Sequence, residues 1–315
     1  MPELSQCPDS CSPRYVVAGS CIADFSLRVP RLPRLGETVL ASGLTRSLGG
    51  KGANQATALR RLGGEVALLA AIGRDEAGDA FLAHFEAEGI DAGCIFRHGS
   101  APTGIAFPMV LPDGSNAIVA ALSASFELPA AAVAAARGRI AAAAALLLQL
   151  EIPAPAAASA MALARAAGVP VFLNPAPAVE EAARLAGGAD VLIPNQLEAE
   201  ALSGMAAASP DEALRAAARL RGLGPPVVVV TLGELGAVVS APGLEHFAPA
   251  YPIAALDSTG AGDAFCAGLV DARTRGAGWP EALDFGCACG ALACRAAGAI
   301  PCLPTADEAR ALARA

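Results

Sequence analysis

Residues 146–173 read LLLQLEIPAPAAASAMALARAAGVPVFL. Leu146–Leu150 is a short apolar run, too brief for a helix and about the length of a buried strand. Ala154–Ala167 is almost all helix formers, with Pro155 near the start, where a first helical turn tolerates it. Gly168 and Pro170 end the helical pattern, and Val171–Leu173 begins another apolar run. Strand, helix and strand in such close succession return the chain to one sheet in one direction. The alternation continues on both sides. Val16–Ala18, Val66–Ala70, Val191–Ile193 and Val227–Thr231 read as strands, and Gly52–Leu62, Ala77–Glu88 and Pro210–Arg221 as helices. The expected fold class is α/β, a three-layer sandwich with a mostly parallel central sheet flanked by helices.

Two stretches break this rhythm. Asp24–Leu48 has short alternating segments interrupted by Pro30, Pro33 and Gly36. Arg97–Ala121 does the same around Pro102, Pro108 and a Pro112-Asp113-Gly114 turn. Both read as antiparallel strands or hairpins, a small sheet appended to the main one. Met1–Pro13 is polar and reads as a loose tail.

Composition narrows the function classes. The 315 residues are enough for about two domains or one large α/β unit. Apolar residues make up 54% and aromatics only 4%, the gap being filled by alanine, which reads as compositional bias. The longest apolar run, Ile140–Leu148, falls far short of the roughly 18–20 residues that span a bilayer. No basic start followed by an apolar segment marks a signal peptide. A net charge of −8 argues against nucleic acid as a partner, since phosphate-backbone binding needs a basic face. A small anion held by one loop stays open. Nine cysteines contain no Cys-x-x-Cys pair, and His84, His98 and His246 lie away from the cysteine cluster near the C-terminus. Reduced, mostly buried thiols in a cytoplasmic protein are expected rather than a zinc site.

Chemistry concentrates in two glycine loops. In Asp257-Ser-Thr-Gly-Ala-Gly-Asp263, Gly260 and Gly262 free the backbone, and Ala264–Thr274 is apolar at helical spacing. The N–H groups of Ala261, Gly262 and Asp263 then open a helix, where unpaired donors and the helix dipole attract anions. Asp263, beside such a hole, is placed either to take a proton from an attacking hydroxyl or simply to complement the dipole. The second loop, Gly49-Gly50-Lys51-Gly52-Ala53-Asn54-Gln55, also opens a helix. It lacks the glycine spacing and the Ser or Thr of a P-loop. Lys51 and Asn54 offer directional donors for a hydroxyl-rich ligand, or the segment is a tight turn with a solvated lysine.

Together the two loops resemble the paired signatures of the PfkB (ribokinase-like) carbohydrate kinase family, separated by about two hundred residues. The resemblance runs from Val16 to Pro304. It includes Gly19–Asp24, Gly36-Glu37-Thr38, Leu148–Glu151, Asn174-Pro175-Ala176-Pro177-Ala178, Pro194–Glu198 and Thr231-Leu232-Gly233, in the family's order. It implies one kinase domain over residues 14–315, with the two irregular stretches, about 24–48 and 97–121, as a β lid that excludes water. It implies transfer of the γ-phosphoryl of ATP to a primary sugar hydroxyl, with ribose as the expected sugar and homodimerisation through the lid. Fructose, deoxyribose or a nucleoside are the alternatives, and a non-catalytic sugar-binding protein on the same fold is the reading from another class. Asp24, Gly50, Lys51, Gly52, Asn54 and Glu151 match sugar-binding positions. Asp263 matches the base and Gly260–Gly262 the anion hole. Asn195, Thr231, Gly233, Gly236, Gly262 and Cys287 match positions along the nucleotide. Glu198 matches an acid that organises Mg²⁺ through water. Asp257 and Thr259, with carbonyls near Ala293, Ala296 and Gly298 and with Cys302 close by, match a K⁺ site. Three positions depart from the pattern: Ile22 where many members carry Asn, Ser123-Ala124-Ser125 where Gly-Ala-Asn is common, and Cys287 in place of His or Asn. A lost sugar hydrogen bond costs about 0.5–1.5 kcal/mol, so the first two bear on which sugar is used more than on the chemistry.

Overall fold

A computed structural model describes residues 12–112 and 116–313. The Met1–Pro13 tail, with Cys7 and Cys11, falls outside the described residues except at its end, and the 112–114 turn falls outside beyond Pro112. Thirteen strands are described. In chain order they are β1 (Arg14–Ala18), β2 (Ile22–Arg28), β3 (Gly43–Gly49), β4 (Glu65–Ile72), β5 (Asp91–Arg97), β6 (Gly104–Val110) and β7 (Asn116–Ala121). Then follow β8 (Ala145–Leu148), β9 (Val171–Leu173), β10 (Val191–Leu192), β11 (Val227–Thr231), β12 (Gly236–Ala241) and β13 (Leu244–Pro249). Nine of them form one sheet in the order β13-β12-β11-β10-β9-β8-β1-β4-β5. Every pairing from β11 to β5 is parallel, and β12 and β13 add an antiparallel edge.

The side-chain period of two explains the layering. On β1, Tyr15 and Val17 enter one core and Val16 and Ala18 the other, all four buried. The first core lies under the helices Lys51–Arg61, Glu76–Glu88, Ala261–Thr274 and Trp279–Ala293. The second lies under Ala154–Ala166 and Pro210–Arg221. The helix faces turned inward are largely alanine, whose small side chains let the backbones come close to the sheet. Among the described residues no helix is long and apolar enough to cross a membrane, and no disulfide links the cysteines at 21, 94, 266, 287, 289, 294 and 302.

The remaining strands form a separate small sheet in the order β3-β2-β6-β7. Here the expectations need correction. The sheet begins at Ile22, before Asp24, and residues 29–42 between β2 and β3 form no strand. Arg97 ends β5 of the large sheet, so the second half of the small sheet starts at Gly104. β2 and β6 pair in parallel, not antiparallel. Two helices and two strands of the main body lie between them, long enough to bring the chain back in the same direction. The Leu146–Leu150 strand ends at Leu148, and Gln149 and Leu150 turn out of the ladder. The β12–β13 hairpin and the Trp279–Ala293 helix were not expected from the pattern.

Candidate active site

The site lies where the parallel strands end, as ligand sites in such sheets do. Gly19 and Ser20 follow β1, Gln149 and Glu151 follow β8, Asn174 follows β9, Asn195 follows β10, and Thr231 closes β11. An isolated parallel bridge joins Asn195 to Thr231.

The Lys51–Arg61 helix begins at Gly50, whose φ is 86°. A Cβ there would lie 2.7 Å from the Ile22 nitrogen, so glycine is required both by conformation and by space. Lys51 N–H donates to Glu151 Oε2 at 3.1 Å, and the Ser20 hydroxyl donates to the same oxygen. Asn54 Nδ2 donates to Asp263 Oδ2 at 2.8 Å, and Gln55 Nε2 donates to Asp263 Oδ1 at 2.9 Å. Asp263 stands in the first turn of the Ala261–Thr274 helix and is buried. Its helix start is Gly260, at φ 81°, packed so that a Cβ would come 2.9 Å from the Ala299 Cβ. Ala261 N–H is turned back onto the Ser258 carbonyl at 3.1 Å. The helix start therefore directs the Gly262 and Asp263 N–H groups outward, and a Cβ on Gly262 would meet only open space. Of the expected anion hole, Ala261 is the member whose donor is already used.

The charges of this cleft act on one another. Burial raises the Asp24 carboxyl, and the nearby Glu151 and Asp263 carry it further, to about 7. Burial also raises Glu151, against the pull of Lys51 and Ser20. Glu198 is raised by burial too, against the Asn195 N–H and Lys51. For Lys51 burial works downward, but the carboxylates of Asp263, Glu151 and Glu198 outweigh it and hold the ammonium up. The expected residues Asp24, Lys51, Asn54, Glu151, Glu198 and Asp263 are thus brought into one cluster from five separate segments.

Asn195 and Glu198 cap the Gln196–Ser203 helix. Glu198 N–H donates to Asn195 Oδ1 and Asn195 N–H to Glu198 Oε2, each at 2.9 Å. Among the described residues no group of three or more acidic, histidine or cysteine side chains is set to hold a metal by itself. Glu198 alone would suit Mg²⁺, which keeps several waters and shares phosphate oxygens. Thr231, Gly233 and Gly236 line the same edge farther on. Gly236, at φ 115°, lies under the Ala248 carbonyl, where a Cβ would come within 2.1 Å. The buried Cys287 thiol faces that carbonyl at 4.0 Å, and burial pushes it up to about 12.

Behind the glycine loop, Asp257 Oδ1 accepts the Thr259 N–H at 2.9 Å and its hydroxyl at 2.6 Å. Asp257 Oδ2 accepts the Gly298 N–H at 2.8 Å. Burial pushes the Asp257 carboxyl up, but these donors outweigh it and hold it below the ordinary range. Leu256 N–H donates to the Cys294 carbonyl at 2.8 Å, just past Ala293 at the end of its helix, and Cys302 donates its thiol to the Ala297 carbonyl at 3.5 Å. Ala296 lies in the same 294–299 loop. The donor set is carboxylate, hydroxyl and carbonyl oxygen, which suits a hard cation.

A profile of the pfkB family carbohydrate kinases matches residues 12–306. The chain belongs to this family. It is 37% identical over 292 residues to the ribokinase of Haemophilus influenzae, covering 93% of this chain and 95% of that one. It is 32% identical over 250 residues to the deoxyribokinase of Salmonella typhi, covering 79% and 82%. The structure of Arabidopsis thaliana ribokinase complexed with ribose and ATP superposes with a TM-score of 0.86 at 29% identity, over 97% of this chain and 100% of that one. The molecule is a ribokinase-like sugar kinase of the pfkB family, a phosphotransferase on a three-layer α/β sandwich with an added four-stranded sheet.

Some of this kinase's site residues were not singled out from sequence. Gln55, Gln149 and Asn174 form buried amide contacts behind Asp263. All three lie in quoted motif segments; for Gln149 and Asn174 the signal available was a polar residue just past an apolar strand, and for Gln55 a polar residue in a buried helix start after the glycine loop. Ser20 was similarly within reach, next to Gly19 after β1.

Proposed function

We propose that this kinase transfers the γ-phosphoryl of ATP to the primary hydroxyl of D-ribose, giving D-ribose 5-phosphate. The observation that carries the reading is Asp263. It is a buried carboxylate gripped by Asn54 and Gln55, and it stands beside outward N–H groups at a helix start. Asp24, Lys51, Asn54 and Glu151, with the Gly50–Gly52 backbone, hold the sugar hydroxyls. Asp263 accepts the proton of the hydroxyl as its oxygen bonds to the γ-phosphorus and the bond to the β-γ bridging oxygen breaks, releasing ADP. The Gly260–Gly262 loop, through Gly262 and Asp263 N–H, stabilises charge on the moving phosphoryl group. Asn195, Thr231, Gly233, Gly236 and Cys287 line the nucleotide. Glu198 would hold Mg²⁺ through water, which would neutralise phosphate charge, and the Asp257 and Thr259 loop would hold K⁺, which would stiffen the anion-hole backbone. The small sheet of β2, β3, β6 and β7 acts as a lid that keeps water from the phosphoryl group. Free cysteines accord with a cytoplasmic setting.

One observation favours a second sugar. Ile22 is two residues before Asp24 on β2, so both side chains lie on the sugar-facing side of the small sheet. An apolar side chain in that row offers no hydrogen bond, and a sugar with one hydroxyl fewer loses less by it. 2-Deoxyribose is therefore the alternative substrate. A coupled ADP-release assay over pentoses, deoxypentoses, hexoses and nucleosides decides the matter. Ribose is expected to give the highest kcat/KM. An order-of-magnitude advantage for 2-deoxyribose or another acceptor would transfer the assignment to it, since about 1.4 kcal/mol separates them at tenfold. Asp263→Asn in the same assay is expected to lower kcat by roughly 10²–10⁴-fold with the fold intact.

A further inference from the structure

The buried amides behind Asp263 have a definite order. Gln55 Nε2 donates to Asp263 Oδ1 at 2.9 Å and also approaches Asn174 Oδ1 at 3.3 Å. Asn174 Nδ2 donates to the Ile193 carbonyl at 2.8 Å, which turns the Asn174 oxygen towards Gln55. Gln149 Nε2 donates to Gln55 Oε1. Gln55 and Gln149 have no exposed surface, so water does not substitute for either partner. A side-chain amide has one accepting and one donating end. Facing the Gln149 N–H on one side and the Asn174 oxygen on the other, Gln55 satisfies both in only one orientation. In that orientation its N–H points at Asp263.

Gln149 is itself confined. Residue 19 has to be glycine, because a Cβ there would fall 1.9 Å from Gln149 Oε1 and 2.7 Å from the Gly52 Cα. Gly19, Gln149 and Asn174 follow β1, β8 and β9, three adjacent strands of the main sheet. The sheet thus delivers its rigidity to the Asp263 carboxylate through Gln55, a residue on the neighbouring helix.

We infer that Gln55 is a positioning residue for Asp263, and that Gln149 and Asn174 act through it by fixing which end of its amide meets the carboxylate. With Asn54 on Oδ2 and Gln55 on Oδ1, the carboxylate is held about its last torsion, which is otherwise broad. The inference rests on the reading of Asp263 as the base. Other ionisable groups facing Asp263 are Lys51, Asp24 on β2, Glu151 after β8, Glu198, and Cys266 on its own helix. The substitutions below change none of them.

The test compares Gln149→Met, Gln149→Glu and Gln55→Met with the unchanged enzyme and with Asp263→Asn. Gln149→Met removes the donor that orients Gln55. Gln149→Glu sets a carboxylate against Gln55 Oε1, turning the amide over so that its oxygen faces Asp263. Expected losses in kcat are about tenfold for Gln149→Met and about a hundredfold for Gln149→Glu and Gln55→Met. KM for ATP should stay within about twofold, since no nucleotide contact is touched. A role in packing alone would lower Tm and leave kcat below Tm where it was. Should Gln149→Glu not fold, the two methionine variants, close in size and uncharged, decide. Folded variants keeping kcat within about threefold would overturn the inference. A large loss in Asp263→Asn alone would then leave the base reading standing, whereas a nearly intact Asp263→Asn would remove that reading itself.

Discussion

Asp24 carries its carboxyl at about 7 against an ordinary 3.8, through burial first and then the charges of Glu151 and Asp263. In the ligand-free protein this has a signed consequence. Between those two values the folded chain keeps a proton that the unfolded chain has released. The contribution to stability is therefore whole below about pH 4 and is lost as pH rises through about 7. Asp24→Asn removes the penalty. It should raise the stability of the ligand-free protein more at pH 8 than at pH 5, by at most about 3 kcal/mol, the two units between pH 5 and about 7. Urea melts at the two pH values measure it, and an equal gain at both would contradict the cause given. The same substitution should weaken sugar binding, so the residue is kept at the expense of stability. Asp24 was legible in the sequence only through resemblance. Its raised carboxyl was not, because that depends on Glu151 and Asp263, which lie more than a hundred residues away.

Among the elements, the Gln196–Ser203 helix shows one acid with two uses. Glu198 closes a capping box with Asn195 and also faces Lys51. Glu198→Gln keeps the cap, since Gln serves at that position as well as Glu. It should leave Tm nearly unchanged while raising the Mg²⁺ concentration needed for half-maximal rate. If Tm falls and the Mg²⁺ dependence does not change, the acid is a cap and no more. The 294–299 loop is tied to the 256–260 segment by the Leu256, Asp257 and Gly298 bonds, and Gly260 packs directly on Ala299. A cation bound there would act on the start of the Ala261–Thr274 helix by holding these two strips together. Exchanging K⁺ for Na⁺ or a bulky organic cation should lower kcat. An unchanged rate in K⁺-free buffer would rule out the dependence.

For the whole molecule, the small sheet has a side facing the Asp263 cleft and a far side. Asp24 marks the first. On the far side Phe25 and Phe107 lie 5.7 Å apart between ring centres, Val119 pairs with Phe107, and Leu44 pairs with Leu27. Leu44, Phe107 and Val119 are exposed on a sheet with open edges. Apolar residues side by side on a sheet face seek cover. A second copy of the chain supplies that cover in our reading. The wild-type protein should sediment and scatter light as a dimer, and Val119→Lys should shift it to a monomer. A monomeric wild type at assay concentration would refute the pairing.

Strand–helix alternation determined the class of fold by itself, because a buried parallel strand must be a short apolar run and its crossover must be a helix. The boundaries of Ala154–Ala166 and Pro210–Arg221 followed from proline and glycine, which act through local backbone sterics. The two glycine loops were legible for a similar reason, since φ values of 86° at Gly50 and 81° at Gly260 are open to glycine at little cost. The parallel pairing of β2 with β6 was decided only in the tertiary structure, because it depends on where intervening helices and strands carry the chain. So was the amide chain from Gln149 to Asp263. Which end of a glutamine faces a carboxylate is set by partners from three strands and two helices, and hydrogen bonds between residues so far apart in sequence leave no local pattern to read.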